Sequence, residues 1–348
     1  MKSVNLLGAL LIISTIAFGA DPFVASAAGL PNQNNAISYW TTERMASAQS
    51  REFVFAIGAS RASLVSAPPF SAAGKGPRST PTPSPTPTPT PTTPSGALSP
   101  TTGTSWNSGG LALSATGKVF FTMNGKNYVC SGAVVTDTRL DYSLVLTAGH
   151  CAYDQTARLF ATNWLFVPAY DLTPNPSSCS VTVYGCWTAS ALVVHSGFAG
   201  AGGFTSAATT RDWAFAVIGS GGKSNSQLDV TVGSFPLTTT SLSTGWTAVA
   251  FGYPAAAPYN GQDLIYCAGA AGQDSSNANL TWSLPCTMTG GSSGGPWMSG
   301  FSVDRGALSS VNSYRYSGST NMYGPKFNTY TTSTLNAANG ATTNTIVQ

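Results

Sequence analysis

The 348-residue chain predicts an all-β protein of antiparallel barrels, preceded by an N-terminal region of different texture. Three observations carry that prediction. From about Thr104 onward, short runs of β-branched and aromatic residues alternate with clusters of Gly, Pro, Asn and Ser, as strands joined by tight turns do. No long amphipathic helical pattern interrupts them; only Thr331 to Ala338 reads as a weak terminal helix. All six cysteines fall in this same part of the chain.

The first strand pair is the most explicit. Val119-Phe120-Phe121-Thr122-Met123 and Tyr128-Val129-Cys130 flank Asn124-Gly125, a hairpin around an Asn-Gly turn. Further strands are predicted at Gly132–Thr136, Ser143–Thr147, Ala161–Val167, Ala189–Val194, Trp213–Ile218, Trp246–Tyr253, Asp263–Cys267 and Ala307–Ser313.

The N-terminal region divides by composition. Lys2, the apolar stretch Val4 to Phe18 and Ala25-Ser26-Ala27 form the charged start, apolar core and cleavage site of a secretory signal, predicted over 1–27. Its apolar core is too short for a transmembrane helix, and no later stretch reads as a span. Residues 28–78 lack cysteine; Glu43 to Gln49 predicts a short helix, and a segment of this size buries little by itself. It reads as a pro-region, with a loosely ordered spacer as the alternative. Ser79 to Pro94 is a Thr-Pro repeat broken once at Ser84, which favours extended polyproline II, so 79–103 reads as a linker. The folded domain is expected over 104–335, with a C-terminal tail at 336–348.

Charge excludes one class of partner. Only 8% of residues are charged and the net charge is +3, with no basic stripe to track a phosphate backbone, so nucleic acid is not expected. Asn279-Leu280-Thr281 is a glycosylation acceptor pattern. An even cysteine count behind a secretory signal argues for three disulfides in an extracellular protein. Many pairings are possible; joining sequence neighbours (Cys130 with Cys151, Cys179 with Cys186, Cys267 with Cys286) is the simplest. Two separated histidines and no Cys-x-x-Cys leave no metal site, and no cofactor is expected.

The chemistry concentrates in Gly290-Gly291-Ser292-Ser293-Gly294-Gly295-Pro296-Trp297. Its glycines give a backbone that can approach a ligand closely, and they set Ser293 beside amides able to bind an oxyanion. A Gly/Ser-rich surface turn is the plain alternative. A serine nucleophile needs a base, and the chain offers only His150 and His195, each of which read alone is a structural histidine. Seven aspartates and no glutamate follow His150; Asp212, at the head of the apolar Trp213–Ile218 run, is the one whose carboxylate enters the interior. Asp154, Asp171 and Asp229 have polar or turn-forming neighbours. Gly291-Ser292-Ser293-Gly294-Gly295 also fits the nucleophile elbow of α/β-hydrolases, but those place a histidine after the serine, and none follows Ser293.

Thr147-Ala148-Gly149-His150-Cys151 together with Gly291-Ser292-Ser293-Gly294-Gly295-Pro296, in that order, resembles the trypsin/chymotrypsin-like serine peptidases over roughly residues 104–335. The resemblance implies two antiparallel six-stranded β-barrels with the active site in the cleft between them. His150 and Asp212 would come from the first barrel and Ser293 from the second. It implies a catalytic triad in which Ser293 hydrogen-bonds His150 and Asp212 orients the ring, with the N–H groups of Gly291 and Ser293 as oxyanion hole. It also implies the Cys130–Cys151 bridge, which would hold the histidine loop with about 2–4 kcal/mol.

Two departures stand out. Ser292 replaces the aspartate that pairs with a newly cut N-terminus in trypsin-like zymogens, and no matching cut site precedes the domain. Thr287 replaces the aspartate at the base of a trypsin pocket, which removes the charge rationale for cleavage after Lys or Arg. Ser313-Tyr314-Arg315 corresponds to the pocket wall, with Arg315 where glycine leaves room; it would narrow the pocket or favour an acidic side chain. The expectation is a secreted serine endopeptidase, made as a zymogen and acting as a monomer on protein or peptide substrates. A catalytically silent homologue serving as an extracellular binding module is the alternative, suggested by Ser292 and the Thr-Pro spacer.

Overall fold

The computed structural model describes residues 33–68, 98–173 and 177–348. The expected signal sequence and the Thr-Pro repeat lie outside the described residues. Among those described, no helix is long and apolar enough to cross a membrane.

Six antiparallel strands close a barrel. Lys126–Val135 pairs with Thr116–Met123, followed in order by Thr162–Pro168, Trp187–His195, Ala214–Ile218 and Ser143–Thr147, which returns to Lys126–Val135. The hairpin turn is Asn124-Gly125, both at positive φ (51° and 73°), as the right-handed twist of the flanking strands requires. Tyr128–Cys130 and Gly132–Thr136, read from sequence as separate strands, are parts of one long strand: Gly132 lies flat against Val119 and Val145 and does not break it. Every residue of Ser143–Thr147 and Ala214–Ile218 is buried, because one face fills the barrel and the other is covered. Part of that cover is the helix Thr329–Gly340, capped by Asn328 and bonded to the barrel through Trp213 Nε1 and Thr334 Oγ1. Beyond it, Thr345–Val347 adds a parallel strand beside Trp187–His195, so the residues read as a tail belong to the folded unit.

The second half is assembled from two sheets. One runs Arg305–Val311, Pro296–Ser302, Thr247–Gly252, Ile265–Ala270 and Thr101–Ser105. The other runs Gly272–Gln273, Thr281–Pro285, Asn321–Pro325, Tyr314–Tyr316, Glu52–Phe55 and Ser63–Val65. Its last two strands come from the N-terminal region, and Thr101–Ser105 crosses the expected boundary at 104. The architecture is all-β and chymotrypsin-like, as the resemblance implied.

The N-terminal segment is ordered by docking on the rest. It forms two short helices, Gln33–Tyr39 and Thr42–Ser47, the second capped by Thr41. Trp40, Met45, Phe53 and Phe55 are buried and join the main core; each is worth about 1.5–3 kcal/mol in burial. A segment too small for a core of its own thus borrows the barrel's. The three disulfides join sequence neighbours: Cys130–Cys151, Cys179–Cys186 and Cys267–Cys286.

Lys118 is a buried cation between the two halves. Its Nζ donates to Gly261 O at 2.9 Å and lies over the rings of Tyr170 and Phe120. Burial pulls its pKa down from 10.5 to about 7. The folded state therefore binds fewer protons than the unfolded chain between these two values, and Lys118's contribution to stability rises with pH across that window. Lys118→Met should raise the thermal midpoint most at and below pH 7, and the gain should vanish near pH 10.5; unfolding scans across that range check it.

Candidate active site

The histidine is placed by the strand before it and the disulfide after it. Ser143–Thr147 runs into a single 3₁₀ turn, Gly149–Cys151, and Cys151 is tied to Cys130 on the neighbouring strand. His150 is fully buried, and Asp212 grips it twice: the backbone N–H donates to Oδ1 at 2.9 Å and Nδ1 meets Oδ2 at 2.8 Å. With Nδ1–H donating to the carboxylate, Nε2 is left as the acceptor nitrogen. Gly149 makes the grip possible, since a Cβ there would come within 3.0 Å of Asp212 Oδ1 and of the Phe198 ring. Ser313 Oγ donates a third hydrogen bond to Asp212 Oδ2, at 2.5 Å. Three donors thus satisfy a carboxylate with no exposure to water. Arg211, its neighbour in sequence, turns instead to Thr210 O and the Tyr330 ring.

The serine is held from both halves of the molecule. Ser131, on Lys126–Val135, donates its N–H to Ser293 O at 2.7 Å and its Oγ to Gly291 O at 2.9 Å. Gly294 (φ 80°) lets the loop lean on this strand, for a Cβ there would collide with Thr147 Oγ1. From the other side, Asn312 Nδ2 donates to Ser292 O (3.0 Å) and Phe251 O (2.8 Å), while its Oδ1 accepts from Trp297 Nε1 (2.7 Å). The backbone of Asn312 exchanges two more bonds with Gly294 and Gly295. Ser292 is buried and satisfies its own hydroxyl on Thr289 O at 2.7 Å. An uncharged internal bond therefore stands where a terminal ion pair would be needed to order the loop. The N–H groups of Ser292, Gly294 and Gly295 have backbone acceptors, whereas those of Gly291 and Ser293 meet none among the described residues.

One expected bond is not made. Ser293 Oγ donates to the carbonyl of Arg51 at 3.3 Å, and buried His150 Nε2 has no hydrogen-bond partner among the described residues. Arg51 touches both residues, since it also donates Nε–H to His150 O at 3.0 Å. The N-terminal segment has taken the serine hydroxyl.

The residues expected to bind substrate separate into different tasks. The Thr287 hydroxyl is engaged by Thr102 O (2.7 Å) and Tyr259 OH (2.8 Å). Ser313 belongs with Asp212. Tyr314 is buried beneath Tyr323, and its hydroxyl donates to Asp274 Oδ2 at 2.5 Å beside Tyr316 OH at 2.9 Å. Burial and the Asp274 carboxylate hold both phenols far above their usual range of ionisation. Arg315 is partly exposed, with Nε on Glu52 Oε1 at 2.5 Å. His195 lies elsewhere: its Nδ1 accepts from Gly197 N at 2.9 Å, capping a short helix, and burial lowers its pKa. Cys130, His150 and Cys151 have the spacing of metal ligands, but the two sulfurs are bonded to each other. The sequence gives no sign of Ser131 or Asn312, because a lone serine in a strand or an asparagine just beyond one carries no motif.

No family model matches the chain, and neither does any curated protein. Among solved structures, protease Anisep from Arthrobacter nicotinovorans is 41% identical at a TM-score of 0.57, covering 66% of this chain and 97% of its own. The chain belongs to the trypsin/chymotrypsin-like serine protease family. A second bacterial-type member, the thermostable serine protease AL20 from an extremophilic microorganism, is 36% identical at 0.57, covering 66% of this protease and 99% of itself. A Glu endopeptidase shares the fold at 20% identity and 0.51, covering 69% and 97%.

In this serine protease, Asn312 carries the loop that a terminal ion pair would otherwise order. Asn312→Ala strands two buried carbonyls and an indole N–H. It should lower stability by about 1–3 kcal/mol and kcat for peptide hydrolysis by about 10–100-fold, with KM nearly unchanged. Urea unfolding and steady-state kinetics check the two halves of that statement.

Proposed function

We propose that the protein is a secreted serine endopeptidase in which Ser293 is the nucleophile, His150 the general base and acid, and Asp212 the group that holds the ring. The observation that carries this reading is the double grip of Asp212 on His150, with Ser313 as third donor. It turns Nδ1 to the carboxylate, so that Nε2 is the nitrogen that accepts the serine proton in this reading.

Ser293 Oγ attacks the substrate carbonyl carbon as its proton passes to His150 Nε2. The carbonyl oxygen becomes an oxyanion facing the N–H groups of Gly291 and Ser293, which have no competing acceptor among the described residues. His150 then gives its proton to the departing amine, and the C–N bond breaks to leave an acyl-enzyme on Ser293. Water, deprotonated by His150, attacks that ester and releases the acid by the reverse route. Export fits the three disulfides and the signal pattern before Ala27. Arg315, at the partly exposed end of Ser313-Tyr314-Arg315, favours an acidic side chain in the adjoining subsite.

The alternative of a silent homologue is favoured by one fact, the unmade bond between Ser293 and His150. A fluorophosphonate probe separates the two readings, since only an activated serine reacts. Protein freed of its N-terminal segment should label at Ser293 and hydrolyse peptides. Ser293→Ala should abolish labelling and lower turnover on the order of 10⁵–10⁶-fold. Full hydrolysis by that variant, or no labelling of the freed protein, would refute the assignment.

A further inference from the structure

The cleft holds a strand of the protein's own chain. Gln49–Ser50 pairs with Tyr128 and Val129, and Glu52–Phe55 pairs with Tyr314–Tyr316, so the segment crosses from one half of the molecule to the other directly over Ser293. We propose that this cleft is a binding site for an Arg-Glu-aromatic peptide strand, occupied by Arg51-Glu52-Phe53 as a built-in inhibitor. The proposal rests on the catalytic reading above and adds the regulation of that site.

Each of the three residues has its own socket. The Arg51 guanidinium is buried, pairs with Asp154 Oδ2 through Nη2 at 3.1 Å and donates Nε–H to His150 O. Glu52 meets Arg315 on the opposite wall. The Phe53 ring stacks on Phe204 at 4.1 Å and stands edge-on to the His150 imidazole at 5.3 Å, covering the base. A cation, an anion and an aromatic ring in consecutive positions make a specific requirement that a random strand does not meet.

The same strand disables the chemistry. A proton that Ser293 Oγ donates to the Arg51 carbonyl is not available to His150 Nε2, and the segment lies across Ser293, where a substrate must approach. Its pairing with Tyr314–Tyr316 is parallel, the less stable arrangement per residue, which leaves that edge open to competition by an antiparallel strand. Preorganisation offsets this. Glu52–Val54 is backed by Ser63–Val65 in a hairpin closed by Ser50 and Ala67, and Trp40 Nε1 anchors the helices to Asn163 O at 2.6 Å. These contacts are non-covalent, so a cut between residues 68 and 98 does not free the cleft; the segment must also leave.

The test uses the full chain with a specific protease site built into the Thr-Pro repeat, cut after folding, and measures the rate of fluorophosphonate labelling. Intact protein should label about 10²–10³-fold more slowly than protein cut and cleared of its segment, as a mM effective concentration acting on a μM site gives. Protein cut but not cleared should label slowly at high concentration and faster on dilution. Arg51→Ala, Glu52→Ala and Phe53→Ala in the intact chain should each speed labelling at least several-fold. Synthetic peptide 49–67 added to cleared enzyme should restore inhibition, and the same peptide with Arg51 and Glu52 exchanged should not, a measurement that does not depend on how the variants fold. Equal labelling of intact and cleared protein overturns the proposal while leaving the catalytic reading standing. No labelling of any form overturns the catalytic reading, and the proposal with it.

Discussion

A buried carboxylate with three hydrogen-bond donors is the constraint around which this protease is arranged. Asp212 sits at the head of a strand with no exposure to water. An isolated charge in such a place would be prohibitive, so its donors must be supplied in advance by the fold. Two come from His150, which fixes the ring and the backbone together; the third comes from Ser313, in the other half of the molecule. The need to satisfy one anion therefore forces the histidine turn, the aspartate strand and the Ser313 segment into contact. The cleft is the seam where that contact is made.

The serine loop follows the same logic with neutral groups. In a trypsin-like zymogen a new terminus supplies the charge that orders this loop, whereas here the loop is braced by Ser131 from one side and Asn312 from the other. Both are buried and uncharged, and each donates side-chain hydrogen bonds to backbone carbonyls of the loop or its support. Such a loop is ordered whenever the two halves are docked, without any change at the chain's end. Control of activity must then act on access to the loop and not on its shape, which is consistent with a segment lying across it.

Much of this was legible in the sequence, for reasons that differ by element. The barrel strands announced themselves because Val, Ile, Phe and Leu runs such as Leu144-Val145-Leu146 and Ala214-Phe215-Ala216-Val217 must be buried on both faces. The Asn124-Gly125 turn could be read because only those residue types accept positive φ cheaply. Strands such as Thr281–Pro285, Tyr314–Tyr316 and Asn321–Pro325 were invisible: they are short, mixed in polarity and fixed by their neighbours. At the site, His150, Asp212 and Ser293 stood out through local context, while Ser131 and Asn312 did not. Their importance lies entirely in which carbonyls the tertiary fold brings to them, and no local pattern encodes that.

The N-terminal segment shows how a stretch without a core of its own becomes ordered. Read as an independent unit, it has too few large apolar residues to bury, and that arithmetic is sound. Order comes instead from Trp40, Met45, Phe53 and Phe55, which complete the core of a different part of the chain. The few charges tell the same story. In a sequence with only two glutamates, Glu52 is spent on Arg315, and the Arg51 beside it on Asp154. In the sequence alone, Arg315 is a departure in the pocket wall, Asp154 an aspartate among polar or turn-forming neighbours, and Phe204 carries no motif. Placed together, they are the cleft's complement to three consecutive side chains, and these hold the Arg51 carbonyl where it takes the Ser293 hydroxyl in place of His150.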